Sequence, residues 1–134
     1  MFLSYLKEEN KERFLKLCVH AALSNGVFAK EEKEILETYC QEMNLPVQVP
    51  DIEEPLEVLL KDISENTSET EKKIIVLETL GLIKSDGVYD EQERMFMKKF
   101  VNAIDINEEL FSKINSLLDI YSVVFQELYK TVIE

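Results

Sequence analysis

Ser24-Asn25-Gly26-Val27-Phe28 returns 61 residues later as Ser85-Asp86-Gly87-Val88-Tyr89. Glu32 and Glu93 follow the two copies at the same offset. Beyond them the apolar positions repeat as well: Ile35, Leu36, Tyr39, Met43 and Leu45 against Phe96, Met97, Phe100, Ile104 and Ile106. Their spacing is that of one helix face. Each copy reads as a helix, a tight corner and a second helix. Self-similarity at a fixed offset states a fold before it states a function. The pattern predicts an all-α domain with internal repeats at about 8–45 and 68–106, related by a pseudo-twofold, and a last helix at 107–133.

Helices are expected at 8–24, 30–44, 52–63, 68–85, 91–105 and 107–133, six in all, after a short lead-in turn at 2–6. Pro46 ends the second of them and opens an extended linker at 46–51, because Pro cannot continue the hydrogen-bond ladder. Pro55 is expected inside the first turn of the third helix, where its missing N–H costs nothing. Ser68 with Glu71 three residues on forms a capping box for the fourth. That fourth helix is apolar nearly all round over 74–83, which marks the buried centre. Gly81 in its middle costs about 1 kcal/mol against Ala, so a close neighbour is expected there, with 14–23 the candidate. The stripe Leu110, Ile114, Leu117, Tyr121, Val124, Leu128 and Val132 makes the last helix long enough to lie as a lid over both repeats.

With 134 residues, 46% of them hydrophobic and 31% charged, the chain can bury a core as one domain. Its 15 Lys+Arg against 27 Asp+Glu leave a net charge of −12. Such a chain repels phosphate backbones and anionic lipid, which argues against nucleic acid and membrane and favours a basic protein partner or a divalent cation. No apolar run approaches the ~18 residues of a membrane span, and no signal peptide is visible before the charges that begin at Lys7. Cys18 and Cys40 fall among apolar helical positions and read as reduced core thiols, so a cytoplasmic location is expected.

The second corner is explained almost completely by backbone chemistry. Gly87 supplies the left-handed residue that ends a helix, and Val88 is expected to pack back on Ile83. Asp90 caps the next helix and Glu93 completes a capping box. The first corner carries Ala29 in place of the capping Asp. Asp86 is left over, an anion at the negative end of a helix dipole. It can accept an amide of the corner itself, face a Lys or Arg, or bind a cation together with Asp90 and Glu93. An EF-hand is excluded, since Leu82 and Lys84 stand where its first acidic ligands belong. Hard oxygen donors of this kind select calcium or magnesium.

Glu78 interrupts the apolar run, either at an exposed edge, paired inside, or as a buried functional acid. His20 has no nucleophile–acid set around it, and Met95 and Met97 read as core fillers. There is no phosphate loop, no zinc-protease motif and no Cys-x-x-Cys pair, so an enzyme is the least supported class.

Ala22-Leu23-Ser24-Asn25-Gly26 with Glu31-Glu32, and Lys84-Ser85-Asp86-Gly87 with Glu93, resemble the paired corners of the TerB-like family. Phe14-Leu15-Lys16-Leu17, Lys72-Lys73-Ile74-Ile75 and Leu80-Gly81-Leu82 resemble it too. That family includes tellurite-resistance TerB proteins and a domain of membrane-anchored J-domain co-chaperones. The resemblance implies an all-helical, pseudo-twofold fold and a non-catalytic stress-response or protein-interaction role. It also implies a metal at Asp86, Asp90 and Glu93, although Asn25 stands where the family usually has Asp. The partner expected for the interaction module is an unidentified protein, the chain itself being a monomer or homodimer; the alternative function is a purely structural helical protein acting through homo-oligomerisation.

Overall fold

The computed structural model describes residues 1–134 and contains only helices. A 3-10 turn at Leu3–Tyr5 leads into α1 (Glu8–Ala22), α2 (Lys30–Glu42), α3 (Leu56–Asn66), α4 (Glu69–Ile83), α5 (Glu91–Ala103) and α6 (Glu108–Val132). A further 3-10 turn, Lys84–Asp86, extends α4 into the second corner.

Helix α4 sits at the centre because no side of it suits water. Ile74, Ile75, Val76, Leu80, Leu82 and Ile83 are all buried, and they point around the whole helix. Helices α1, α2, α5 and α6 and the N-terminal turn all pack on it, and one hydrophobic cluster of 27 residues joins them. The expected pairing of α1 with α4 is present.

Two polar networks tie the ends of α4 to the rest. At its start Ser68 and Glu71 form the capping box, each accepting the other's backbone amide at 3.1 Å. The same Glu71 carboxylate accepts Lys7 N–H at 3.0 Å and the buried Asn10 side-chain amide at 2.8 Å. Asn10 also donates to the Asn66 carbonyl at 3.0 Å, so one residue of α1 joins the end of α3 to the start of α4. Further along, Glu78 is buried and lies 2.9 Å from the Met1 amino group. The paired interior reading of Glu78 is the one realised.

Helix ends depart from the sequence reading where backbone sterics decide. Helix α3 starts at Leu56 rather than 52, with Pro55 as its N-cap. The residue before a proline is disfavoured in the α region, so the helix does not run through Glu54. Asn44 and Asp105, themselves 61 apart, both adopt left-handed backbone at φ 58° and 61°. Each is followed by an amide that reaches back five residues, Leu45 to Cys40 at 2.9 Å and Ile106 to Val101 at 3.0 Å, the Schellman closure of α2 and α5.

Three side chains correct the expectation. Val88 does not pack on Ile83 but stands 56% exposed, because its amide is taken by Asp86 and the Schellman bond is not made at that corner. Met95 is 62% exposed, since α5 turns Phe96, Met97, Phe100 and Val101 inward and leaves Met95 on the other face. The neighbour that requires Gly81 is Tyr39 of α2, not α1. A Cβ at Gly81 would meet the Tyr39 hydroxyl at 3.3 Å, and that hydroxyl donates to the Glu78 carbonyl at 2.6 Å.

Helix α6 is a partial lid. Leu110, Phe111, Ile114 and Leu118 pack against the core, but Leu117, Tyr121, Val124, Leu128 and Val132 are exposed. At 25 residues α6 is roughly 37 Å long, while the 15 residues of α4 span roughly 22 Å, so the lid outruns what it covers.

Gly81→Ala is expected to return less than the ~1 kcal/mol of helix propensity, because the new methyl displaces the Tyr39 hydroxyl. Tyr39→Phe alone is expected to cost about 1 kcal/mol, and in that background Gly81→Ala recovers the full propensity gain. Urea denaturation of the four proteins measures the coupling. Equal effects of Gly81→Ala in both backgrounds would show that the hydroxyl is not what holds the glycine.

Candidate functional site

The two corners turn through the same local hydrogen bonds. Ser24 and Ser85 each donate from the hydroxyl to a carbonyl three residues back, Ala21 and Leu82, both at 2.7 Å. Gly26 and Gly87 then take φ of 84° and 81°, the left-handed region that side chains resist. Asn25 Oδ1 accepts Val27 N–H at 3.1 Å and Asp86 Oδ1 accepts Val88 N–H at 2.9 Å, closing an Asx turn at each corner. The turn is what Asp86 gains against the unfavourable helix dipole. The aromatic that follows carries a cation in each case: Lys33 over Phe28 at 5.6 Å and Arg94 over Tyr89 at 4.4 Å.

The helices that leave the corners are capped by their own carboxylates. Asp90 Oδ1 accepts Glu93 N–H at 2.9 Å, and Glu93 Oε1 accepts Asp90 N–H at 3.0 Å, the expected capping box. At the first corner only half of the box exists. Glu32 Oε1 accepts Ala29 N–H at 3.0 Å, but Ala29 has no side-chain oxygen to accept the Glu32 amide in return.

Tertiary packing brings the corners face to face. Asn25 of the first donates its side-chain amide to Asp90 Oδ2 of the second at 3.3 Å. Glu32 and Glu93 are the buried members, 2% and 1% exposed, and Glu32 Oε2 has no hydrogen-bond partner at all. Burial pushes the Glu32 pKa up to about 7, the Ala29 amide opposes, and the carboxylates of Glu93, Asp86 and Glu31 add to the rise. Burial likewise raises Glu93, with Asp90 and Asp86 adding and the Asp90 amide opposing. An excess of negative charge is thus enclosed at this junction.

Of the sequence-derived ligands, Asp90 and Glu93 stand together through the capping box, while Asp86 is exposed on its Asx turn. Each has one oxygen committed to a backbone amide, and no three His, Cys, Asp or Glu side chains converge as they stand into a metal shell. Asp86, Asp90 and Glu93 alone therefore do not form a ready cage. The residue that sequence reasoning undervalued is Glu32. Its position 61 before Glu93 placed it in the equivalent cap, but nothing local said that the two caps would face each other.

Elsewhere the nucleophile candidates are sealed. Cys18 and Cys40 are free and buried, and burial, with Glu78 adding, pushes the Cys18 thiol well above its usual value. His20 is held below its usual value by burial, against the opposing carbonyl and carboxylate of Glu54.

No family model matches the chain, and no curated protein does. Among solved structures it is similar to a tellurite resistance protein from Nostoc punctiforme PCC 73102. The two share 19% identity at a TM-score of 0.72, over 96% of this chain and 84% of that one. The likeness shows the fold: this chain has the all-helical arrangement of that tellurite resistance protein, as its resemblance to the TerB-like family implies.

A carboxyl whose pKa is raised on folding binds its proton more tightly in the folded protein. Glu32 therefore contributes stability while protonated and loses it as pH rises through about 7. Glu32→Gln keeps the neutral shape, so its stability advantage over the parent protein is expected to grow between pH 5 and pH 8, by at most about 1.4 kcal/mol per pH unit. Comparing the two at each pH cancels the opposite slope of His20. A difference independent of pH would mean that Glu32 is ionised throughout.

Proposed function

We propose that this chain is a non-catalytic, cytoplasmic stress-response module of TerB-like type that works through a protein partner and takes a divalent cation weakly where its two corners meet. The observation that carries the reading is Glu32 Oε2, a buried carboxylate oxygen without a partner, among Glu93 and Asp86. Unpaired charge in such a place is costly, and either a proton or a cation relieves it.

The remaining oxygens of Asp86, Asp90 and Glu93, with Glu32, form an oxygen-only donor set suited to calcium or magnesium. Gathering them requires side-chain rotation away from the present caps, which lowers affinity. A dissociation constant of about 10⁻⁴–10⁻³ M, that of low-affinity calcium modules, is the expected scale. Asn25 contributes its amide to Asp90 and replaces one charge of a symmetric site. The non-catalytic reading is supported by the sealed thiols, the burial of Cys18 holding it in the unreactive protonated form. The tellurite resistance in the name of the Nostoc protein supports the stress-response class, and no residue here supports tellurium chemistry.

Calcium at tenfold excess over such a dissociation constant is expected to stabilise the protein by about 1.4 kcal/mol, a few degrees in Tm. The shift is expected to grow from pH 6 to pH 8 as Glu32 gives up its proton, and to vanish in Asp86→Asn and Glu32→Gln. Thermal melts with calcium and with chelator at constant ionic strength measure it. Identical melting temperatures would leave the corners as caps alone.

A further inference from the structure

Beyond the corners, the largest unexplained feature is the distal half of α6. Leu117, Tyr121, Val124, Phe125, Leu128 and Val132 lie on one face of that helix and are 49–72% exposed. They continue, in register, the stripe by which Leu110 and Ile114 pack on the core. The stripe does not fade where the body ends; it simply loses its partner.

From the geometry we infer that residues 117–132 pair antiparallel with the same segment of a second copy, about a twofold axis between Val124 and Phe125. Three observations carry this. The first is area. At ~150–250 Å² for an aromatic side chain and less for Leu and Val, the six residues alone expose roughly 600 Å², and Ile120 and Tyr129 on the flanks bring the total near the ~800 Å² per partner of a stable interface. A patch of that size exceeds what a monomer usually leaves in water.

The second is shape. An apolar groove of about 340 Å³ lies where α6 leaves the body, lined by Phe2, Leu77, Ile114, Leu117, Leu118 and Tyr121 among others. The midpoint of 117–132 falls between Val124 and Phe125, so antiparallel pairing sets Val132 of each copy level with Leu117 of the other. The tip of each helix then reaches the groove at the base of its partner. Parallel pairing would bring both bodies to one end and leave both grooves open.

The third is charge. The charged residues of this segment are Asp119 and Glu127 against Lys130 alone, on a chain of net charge −12. A helix that lies on a membrane needs a basic polar face, so a lipid surface does not suit this one. A second copy needs no complementary charge, because the contact is self-complementary and closes as a pair. The inference is independent of the corner site, since both corners end before α6 begins.

Analytical ultracentrifugation of the full chain, with circular dichroism and melting in parallel, tests it. The expected result is a species of twice 15.6 kDa at micromolar concentration, with a concentration-dependent Tm. Val124→Glu and Leu128→Glu are expected to shift it to monomer, with an unchanged circular dichroism spectrum because both side chains are exposed. Spin labels at position 124 in the two copies are expected to lie much closer than labels at position 117. A monomer at all micromolar concentrations, a dimer that survives both charge substitutions, labels at 117 closer than those at 124, or binding to anionic vesicles as a monomer would each overturn it.

Discussion

Helix α4 is apolar on every side, and a helix of that kind is stable in water only when other elements enclose it. Four helices and the N-terminal turn accordingly converge on it. Its buried carboxylates are answered individually, while the Thr79 hydroxyl has no side-chain or backbone partner. Glu71 collects Asn10, Lys7 and Ser68, and although burial works to raise its pKa, those hydrogen bonds hold it below the usual carboxylate range. Its contribution to stability is therefore present at neutral pH and is lost in acid, as pH falls through the lowered value. The amino group of Met1 answers Glu78, and Glu42 shares it at 2.9 Å, so the two carboxylates outweigh burial and raise the pKa of that ammonium.

The corners follow from the same constraint. Two helices, α1 and α2, must meet α4 and α5 around one core, and the turns that connect each pair come to lie beside each other. Within a corner every interaction is local and favourable: an Asx turn, a left-handed glycine, a carboxylate cap. Across the junction the same carboxylates are like charges in a partly dry place. Glu71 and Glu32 show how environment decides the outcome. Both are acids at the third helical position that cap their own helix, yet three donors depress one pKa while burial and neighbouring carboxylates lift the other to about 7. An acid satisfied by the fold is structural; an acid left short by the fold is available to a proton or a cation.

Helix α6 shows the limit of the core's reach. Lys84 holds it to the second corner, donating to Asn115 at 2.7 Å and to Asp119 at 2.6 Å. Past Tyr121, which still lines the groove beside Phe2 and Leu77, every residue of the helix is exposed. The apolar face persists because the heptad-like spacing is a property of the helix, while its burial is a property of whatever lies opposite.

Helix number, helix order and most helix ends were legible in the sequence because they are set within a few residues. Ser68 and Glu71, Asp90 and Glu93, Gly26 and Gly87 act on backbone groups three or four positions away, and periodicity identifies the inward face of each helix. The all-α class and the central place of α4 follow from the same short-range information. The start of α3 was misread by four residues because Pro55 constrains its predecessor more strongly than it favours its own helical position. The meeting of Glu32 with Glu93, the Tyr39 hydroxyl over Gly81 and the exposure of the far half of α6 were decided only by tertiary structure. Each depends on which surfaces lie opposite one another, between residues tens of positions apart, and spacing along a chain contains no record of that distance in space.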